Sequence, residues 1–345
     1  MQLLIELSKE NIELSKQEFL NLSGIKKYSL IKNILIIDLI NRKSNLKRFS
    51  RLAYTKNIYT ILFSTSSLKK TIEKTVDFSW DKVYKTSFCF RLFNHNMTRN
   101  KDNNLVEKEL AGIIYDNIKN MSSNCPSVNL KKPETLFAFH ILEKEIFATR
   151  LLYTNNDDFK SRKNNKLPEG MPISLDPKLA RAMINLTGIS TGQITDPMCG
   201  TGGILIEALL SGIGAQGQDI DKIMINRSKF NLDHIKKMNK ITKNITLKQQ
   251  DFFKSTKRFN YIVTDLPFGK NTRNIDENFY NNFFDHLSKI LKKTAVIGLP
   301  DFKDRKSFYK IPNDLLIKHA FTIYIHSTLS KKIIVLEKEI TKKNK

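Results

Sequence analysis

The sequence predicts a mixed α/β protein whose C-terminal half is a doubly wound, mostly parallel sheet. Three observations carry that expectation. From residue 171 onward, short apolar runs alternate with helical periodicities, the layout of successive βαβ units in one sheet. A glycine-rich turn, Asp196 to Gly203, lies between a strand and an apolar helix, and aspartates recur at the ends of the strands that follow. The last two strands are separated by only a few residues and should form an antiparallel hairpin. A length of 345 residues calls for two or three domains.

In chain order, residues 1–7 alternate as a strand. Ser15 followed by Glu18 is a capping-box pattern, and Ser23-Gly24 ends that short helix. Residues 34–40 read as a buried strand, 46–54 as a helix with Arg48 and Arg51 on its polar side, 58–64 as a strand and 67–74 as a short basic helix. These make a small α/β unit over 1–75. A second unit spans 76–153: a strand at 86–93, a helix to about 120 with Asn104 and Glu107 as a capping box, and a strand pair at 136–142 and 146–153. Residues 154–170 are polar, charged and aperiodic, so they read as a linker.

The C-terminal part, 171–345, opens with Asp176-Pro177, an N-cap and a first-turn proline, and Gly188 is a helix stop. A strand ending at Asp196 follows, then a helix at 202–213, a strand at 214–219 and a helix at 221–237. Strands at 244–250 and 259–265, a helix at 277–293 and a strand at 294–299 continue the alternation. A broken helix around Pro312 precedes strands at 321–327 and 332–338.

Lys and Arg number 58 against 34 Asp and Glu, a net charge of +24. That excess points to a polyanionic partner, nucleic acid before an acidic membrane surface. The basic residues are spread along the chain rather than gathered in a tail, so the charge belongs to folded surfaces. Lys47, Arg48, Arg51, Lys131 and Lys132 are the candidate contacts. Apolar residues at 40% and aromatic residues at 10% exclude wholesale disorder. No apolar run approaches the roughly 18 residues of a membrane span, and the N-terminus does not read as a secretory leader. Cys89, Cys125 and Cys199 are isolated, without a CxxC, which excludes a disulfide scaffold and a Cys-rich zinc site. A cytoplasmic protein without a metal is expected.

The chemistry concentrates at strand ends. In the turn formed by Asp196, Pro197, Met198, Cys199, Gly200, Thr201 and Gly202, glycines let a ligand approach the backbone, and the following helix directs its N-terminus there. A second glycine pattern, Gly212, Gly214 and Gly217, ends a helix and enters a strand, the wrong context for dinucleotide binding. Asp219 ends the second strand, about 20 positions past the first glycines, where a ribose hydroxyl acceptor is expected; Ile220 adjoins it and Asp221 should cap the next helix. Asp251 ends the third strand and can accept from an adenine amino group, with Phe252 beside the ring. Asp265 opens Asp-Leu-Pro-Phe-Gly at the end of the fourth strand. An exocyclic base amine is a poor nucleophile because its lone pair is delocalised. Acceptors at the Asp265 side chain and the Leu266 carbonyl would draw it towards a tetrahedral nitrogen. Pro267 stiffens the loop, and Phe268 can stack on the base. Such positioning supplies roughly 3 kcal/mol or more of barrier lowering.

Together these residues resemble the S-adenosylmethionine-dependent methyltransferases of Rossmann type that modify exocyclic amines, whose hallmark after the fourth strand is (D/N)-P-P-(Y/F). Leu266 stands in place of the first proline and Phe268 in place of the commoner tyrosine. The segment PISLDPKLARAMINLTGI, then TDPMCGTGGILIEALL and GQDID, and the C-terminal HSTLSKKIIVLEK, are similar to the archaeal tRNA guanosine-10 2-amino methyltransferases. That resemblance implies S-adenosylmethionine as cofactor, Ser174 near its methionine end, and tRNA as partner of a monomeric enzyme. It implies an N-terminal ferredoxin-like unit at 1–75 and a THUMP domain at 76–153, to which VNLKKPE (128–134) and the helix at 105–120 correspond. Met171-Pro172 stands where the family usually has His-Pro. The implied reaction is mono- and dimethylation of the 2-amino group of guanosine 10. The alternatives are a position-6 tRNA enzyme, a ribosomal-RNA guanosine methyltransferase, a DNA amine methyltransferase and a non-catalytic tRNA-binding module.

Overall fold

The structure is a computed structural model, and it describes residues 1–39, 48–96, 101–121, 125–171, 174–243, 245–267, 277–302, 309–326 and 329–339. Two compact units emerge: Met1–Lys9, Lys26–Arg42 and Thr55–Asn155 form one; Glu10–Ile25, Lys43–Tyr54 and Asn156–Lys345 form the other.

The first unit is built on one eight-stranded sheet. Its strands are β1 (Gln2–Leu7), β2 (Tyr28–Ile31), β3 (Ile34–Asp38), β4 (Thr55–Thr65), β5 (Ser87–Asn94), β6 (Ser127–Val128), β7 (Thr135–Leu142) and β8 (Glu145–Thr154). Their order is β2-β3-β1-β4-β8-β7-β5-β6. Antiparallel pairing of β4 with β8 places the strands expected for 1–75 and for 76–153 in the same sheet. The helices Leu68–Asp77 and Lys101–Met121 belong to this unit. Trp80, Phe88, Phe137 and Phe139 are buried with Leu110, Ile114 and Ile118 of the second helix. Glu107 does not cap that helix, which begins at Lys101; its carboxylate instead accepts from the Leu92 N–H of β5 at 3.1 Å.

The second unit begins in sequence with α1 (Ile12–Ser23). Asn11 caps it, and Gly24 ends it in the left-handed region at φ 73°. The expected capping box is thus corrected. Ser15 lies inside the helix and donates to the Asn11 carbonyl, and Glu18 is fully buried. The Glu18 carboxylate accepts from the Ala53 and Tyr54 N–H groups at 2.8 Å each and from Asn185 Nδ2 at 2.7 Å. Burial raises its pKa, and these donors oppose that rise. With the helices of the first unit counted as α2 and α3, the remaining helices are α4 (Pro177–Leu186), α5 (Gly203–Leu210), α6 (Lys222–Asn239) and α7 (Glu277–Ile290).

The sheet of this unit has seven strands, β9 (Gln193–Asp196), β10 (Gly214–Asp219), β11 (Thr246–Gln249), β12 (Phe259–Asp265), β13 (Leu291–Phe302), β14 (Leu315–His326) and β15 (Leu329–Lys338), in the order β11-β10-β9-β12-β13-β15-β14. The pairs from β11 to β13 are parallel, whereas β15 runs antiparallel to both β13 and β14. The doubly wound sheet with a terminal hairpin is as expected. Among the described residues no helix surrounds Pro312, because β14 starts at Leu315, earlier than the pattern suggested. No helix among the described residues is long and apolar enough to cross a membrane.

Two expectations are overturned here. Arg51 is not an exposed nucleic-acid contact. It is buried, and its guanidinium donates to the Ile189 carbonyl at 3.0 Å and to Asn185 Oδ1 at 3.2 Å. The stretch expected as a linker, 154–170, is not free either: Thr154 ends β8. Arg162 is buried against Glu207, Nε to Oε1 at 2.7 Å, and pairs with Asp157 at 2.8 Å. Arg181 completes the cluster on Glu207 at 2.7 Å and on Asp157 at 3.1 Å, and both guanidinium groups lie over the Phe159 ring. Polarity suggested a solvated segment, but four charges of mixed sign satisfy one another inside the fold. Removing one partner of a buried ion cluster strands the others and costs about 3–5 kcal/mol. Glu207→Leu should therefore lower the unfolding free energy of this unit, measured by urea titration, by about 3–5 kcal/mol; an unchanged value would show that the cluster is not coupled to folding.

Candidate active site

The carboxyl ends of β9, β10, β11 and β12 open into a cleft of ≈ 620 Å³, within the usual range for ligand sites. The sheet order reverses between β9 and β12, the place where doubly wound sheets bind ligands. The cleft is lined by Ser174, Asp196, Pro197, Cys199, Gly200, Thr201, Asp219, Ile220, Asp251, Phe252, Asp265, Leu266 and Pro267. Gly202, in the same turn, is not a wall residue. Phe268, Pro172 and Lys47 fall outside the described residues.

The turn after β9 has the shape its glycines permit. Gly200 sits at φ 50° and Gly202 at φ 89°. A Cβ on Gly202 would lie 2.5 Å from Ser228 Oγ, whereas one on Gly200 would meet nothing within 4 Å. Gly202 therefore permits close packing on α6, and Gly200 leaves backbone open to a ligand. Thr201 is held through its carbonyl by Asn231 Nδ2 at 3.0 Å and faces the Ser174 hydroxyl at 3.2 Å. The Cys199 N–H donates to the Gln218 carbonyl of β10 at 2.8 Å. Burial pushes its thiol well above the usual range, so Cys199 packs as a neutral group.

Asp196 is buried, and its Oδ1 accepts from the Thr264 hydroxyl at 2.8 Å and the Met198 N–H at 3.2 Å. Burial above all, with Asp219 and Asp265 nearby, pushes its pKa up to about 7. Asp219 accepts from the Gly200 N–H and the Asp221 N–H at 2.9 Å each, one on either oxygen. That fixes the carboxylate and leaves each oxygen a lone pair towards the cleft. Burial raises its pKa, against the backbone donors of Asp221, Gly200 and Ile220. Asp221 caps α6, as expected. Asp251 caps the turn Phe252–Lys254, accepting from Phe253 N–H at 3.0 Å. Phe252 is largely a core residue, stacked on Phe283 at 4.8 Å.

Asp265 ends β12 beside Gly298 of β13. A methyl group on Gly298 would lie 2.2 Å from Asp265 Oδ1, so the missing side chain is the space that the carboxylate fills. The Leu266 N–H donates to the Gly298 carbonyl at 2.9 Å, and the Tyr280 hydroxyl donates to the Pro267 carbonyl at 3.0 Å. Two neighbouring elements thus hold the loop. The sequence reading missed the further wall residues Met171, Leu175, Ile204, Met224, Phe253 and Phe279; Phe253, next to Phe252, was the one a pattern could have suggested. Among the candidate nucleic-acid contacts, Lys131 and Lys132 are exposed and Arg48 is half-buried. No cluster among the described residues could hold a metal.

The RMKL-like methyltransferase domain matches residues 165–331. A tRNA (guanine(10)-N2)-dimethyltransferase of Methanothermobacter thermautotrophicus is 28% identical over 98% of this chain and 100% of its own length. The enzyme of the same description from Methanocaldococcus jannaschii is 31% identical over 72% of this chain and 69% of its own. The chain belongs to this tRNA (guanine(10)-N2)-dimethyltransferase family. The fold agrees. TrmN from Thermus thermophilus superposes with a TM-score of 0.54 at 15% identity, over 98% of this chain and 100% of its own. The protein is an S-adenosylmethionine-dependent methyltransferase, and the cleft residues fit that cofactor. A buried carboxylate held back from ionising suits an ammonium group, fixed carboxylate lone pairs suit hydroxyls, and open glycine backbone suits close approach.

Displacing a reacting group by about 1 Å costs on the order of 100-fold in rate. Gly298→Ala should therefore lower the methyl-transfer kcat by about that factor while leaving cofactor affinity near wild type. A wild-type kcat would show that Asp265 is free to shift without consequence.

Proposed function

We propose that this protein transfers methyl groups to the 2-amino group of guanosine at position 10 of tRNA, giving the mono- and then the dimethyl product. The observation that carries the reading is Asp265. It stands at the end of the fourth parallel strand, on the wall shared with the cofactor residues and followed by Leu266-Pro267. The relatives named for guanine(10)-N2 dimethylation agree with it.

The bound cofactor supplies an electrophilic methyl group on a sulfonium centre. Asp196 would hold its ammonium end, Asp219 its ribose hydroxyls, and Asp251 its adenine amino group, with Ile220, Phe252 and Phe253 as apolar walls. Asp265 Oδ and the Leu266 carbonyl accept from the guanine amine and turn its lone pair towards the methyl carbon. With the cofactor bound, the N–C bond would form as the S–C bond breaks, the bonding electrons would stay on sulfur, and the amine proton would leave to water. Acceptors at fixed positions need no reorganisation in the transition state. Position 10 lies in a stem, so the base must leave the stack at a cost of a few kcal/mol. The N-terminal unit, read as a THUMP-type RNA-binding region with its ferredoxin-like start, grips the tRNA by shape and phosphate contacts, as proteins grip folded RNA. Its exposed Lys131 and Lys132 contribute to a strongly salt-dependent affinity. The protein acts as a cytoplasmic monomer.

Mass-spectrometric mapping of an unmodified tRNA transcript, after incubation with labelled S-adenosylmethionine, tests this directly. Label is expected at guanosine 10, in mono- and dimethyl form, and Asp265→Ala should abolish it with cofactor still bound. Label at position 6 would move the substrate site, and label on ribosomal RNA alone would replace tRNA.

Cofactor binding should depend on pH. An ammonium partner needs Asp196 ionised, and the pKa of that group is about 7 in the free protein. Cofactor affinity should therefore rise as pH is raised through about 7 and then level off, and Asp196→Asn should flatten the curve. Calorimetric titration checks this; a rise unaltered in the variant would assign it to another group.

A further inference from the structure

The cleft carboxylates differ in what holds them. Asp196, Asp219 and Asp251 accept from hydroxyl or backbone N–H groups. Asp265 is held by a cation. Lys331 Nζ lies 2.7 Å from Oδ1 and 2.5 Å from Oδ2, and the lysine side chain is only 5% exposed. Lysine is almost never buried unless paired. Lys331 sits on β15, opposite Pro300 of β13, and reaches across β13 to the end of β12. Gly298, two residues before Pro300 on the same strand, leaves the space that the Asp265 carboxylate fills.

We propose that Lys331 is a positioning residue for methyl transfer. Its ammonium clamps both oxygens of Asp265, keeps the carboxylate ionised beside the guanine amine, and leaves the outward lone pairs to receive the amine hydrogens. This rests on the reading of Asp265 given above. Each carboxylate oxygen has a second lone pair, so the clamp restricts the carboxylate without using up its capacity as an acceptor. An ion pair of this kind is weak support for stability on its own. Its place here, at the wall of the cleft and on the one carboxylate that must stay charged beside a neutral base, gives it a task in the reaction.

The charge balance around Asp265 gives the test its sign. The titratable groups facing it are Lys331 of β15, Asp196 at the end of β9 and Tyr280 of α7. Burial raises the Asp265 pKa, and Lys331 lowers it. Removing the ammonium leaves burial unopposed, so protonation of Asp265 moves to higher pH. An opposite charge at this range shifts a carboxyl by about one to three pH units.

The experiment compares wild type, Lys331→Met, Lys331→Gln, Lys331→Arg and Asp265→Asn in kcat against pH at saturating S-adenosylmethionine. It is paired with a 13C-carboxyl NMR titration of the aspartates, with the Asp265 resonance assigned by its loss in Asp265→Asn. In Lys331→Met the acid limb and the carboxyl titration should both move up by about one to three pH units. The kcat loss, roughly 10–100-fold near neutral pH, should shrink as pH rises, with cofactor affinity unchanged. Lys331→Arg should lie nearest wild type. Should Lys331→Met fail to fold, Lys331→Gln, which keeps donors but no charge, carries the same expectation. An unmoved carboxyl titration, or a loss equal at every pH with lowered thermal stability, would overturn the proposal and leave the lysine a structural residue. Wild-type turnover in Asp265→Asn would instead show that the role of Asp265 is wrong.

Discussion

The constraint on which this molecule turns is carboxylate crowding. Parallel strands β9, β10 and β12 each end in an aspartate that faces one cleft, and that geometry brings like charges together where water is scarce. Burial holds Asp196, Asp219 and Asp265 above the ordinary carboxylate range, and Asp196 feels the other two besides. Such an arrangement is tolerable only if every carboxylate meets donors in the protein and gains more in the complex. The turn after β9 answers the first need: its Gly200 N–H reaches Asp219, and its Met198 N–H reaches Asp196. The glycines are therefore tied to the aspartates. Left-handed backbone at Gly200 and Gly202 belongs to the same turn, in which the Gly202 N–H donates to the Cys199 carbonyl.

The sheet is supported from behind by polar groups that are themselves buried. Glu18 of α1 receives two backbone N–H groups and Asn185, and Asn185 in turn receives Arg51. Arg162 and Arg181 share Glu207 of α5, the helix that follows the glycine turn. Buried polar groups left unpaired cost more than paired ones contribute. Such clusters therefore specify how α1, α4 and α5 pack rather than add much stability. The glycine turn sits on α5, so the fixed packing of that helix fixes where the turn presents its backbone.

How much of this the sequence disclosed depended on the range of each interaction. Asp219 and Asp265 sit at the ends of strands whose residues, 214–219 and 259–265, were legible as written, because alternating βα patterns and glycine turns are local signals. So is Asp176-Pro177, which opens α4 as its composition demands. Glu18 and Glu107 carried the same kind of local signal and misled, since each spends its carboxylate on a strand or segment distant in sequence. Arg51 misled for the same reason. A charged residue on the polar side of a short amphipathic pattern reads as solvated, and nothing nearby in the sequence announces Asn185 or Ile189 as its partners. The polar stretch at 154–170 could not be told from a linker, because its ion partners lie on α4 and α5.

Lys331 shows the same limit at the centre of the chemistry. It is 66 residues from Asp265, in a strand whose Lys-Lys pair reads as an ordinary exposed face. Only the sheet order, with β15 inserted beside β13, brings it to the cleft. That insertion is the antiparallel addition to an otherwise parallel sheet, and a parallel continuation in its place would run its strand the other way. The terminal hairpin therefore does more than close the edge. Without it, Asp265 would lose the ammonium that meets both of its oxygens. An acceptor for an amine has to remain an anion while a neutral base displaces the water around it, and a buried ammonium reaching across β13 from β15 meets that requirement.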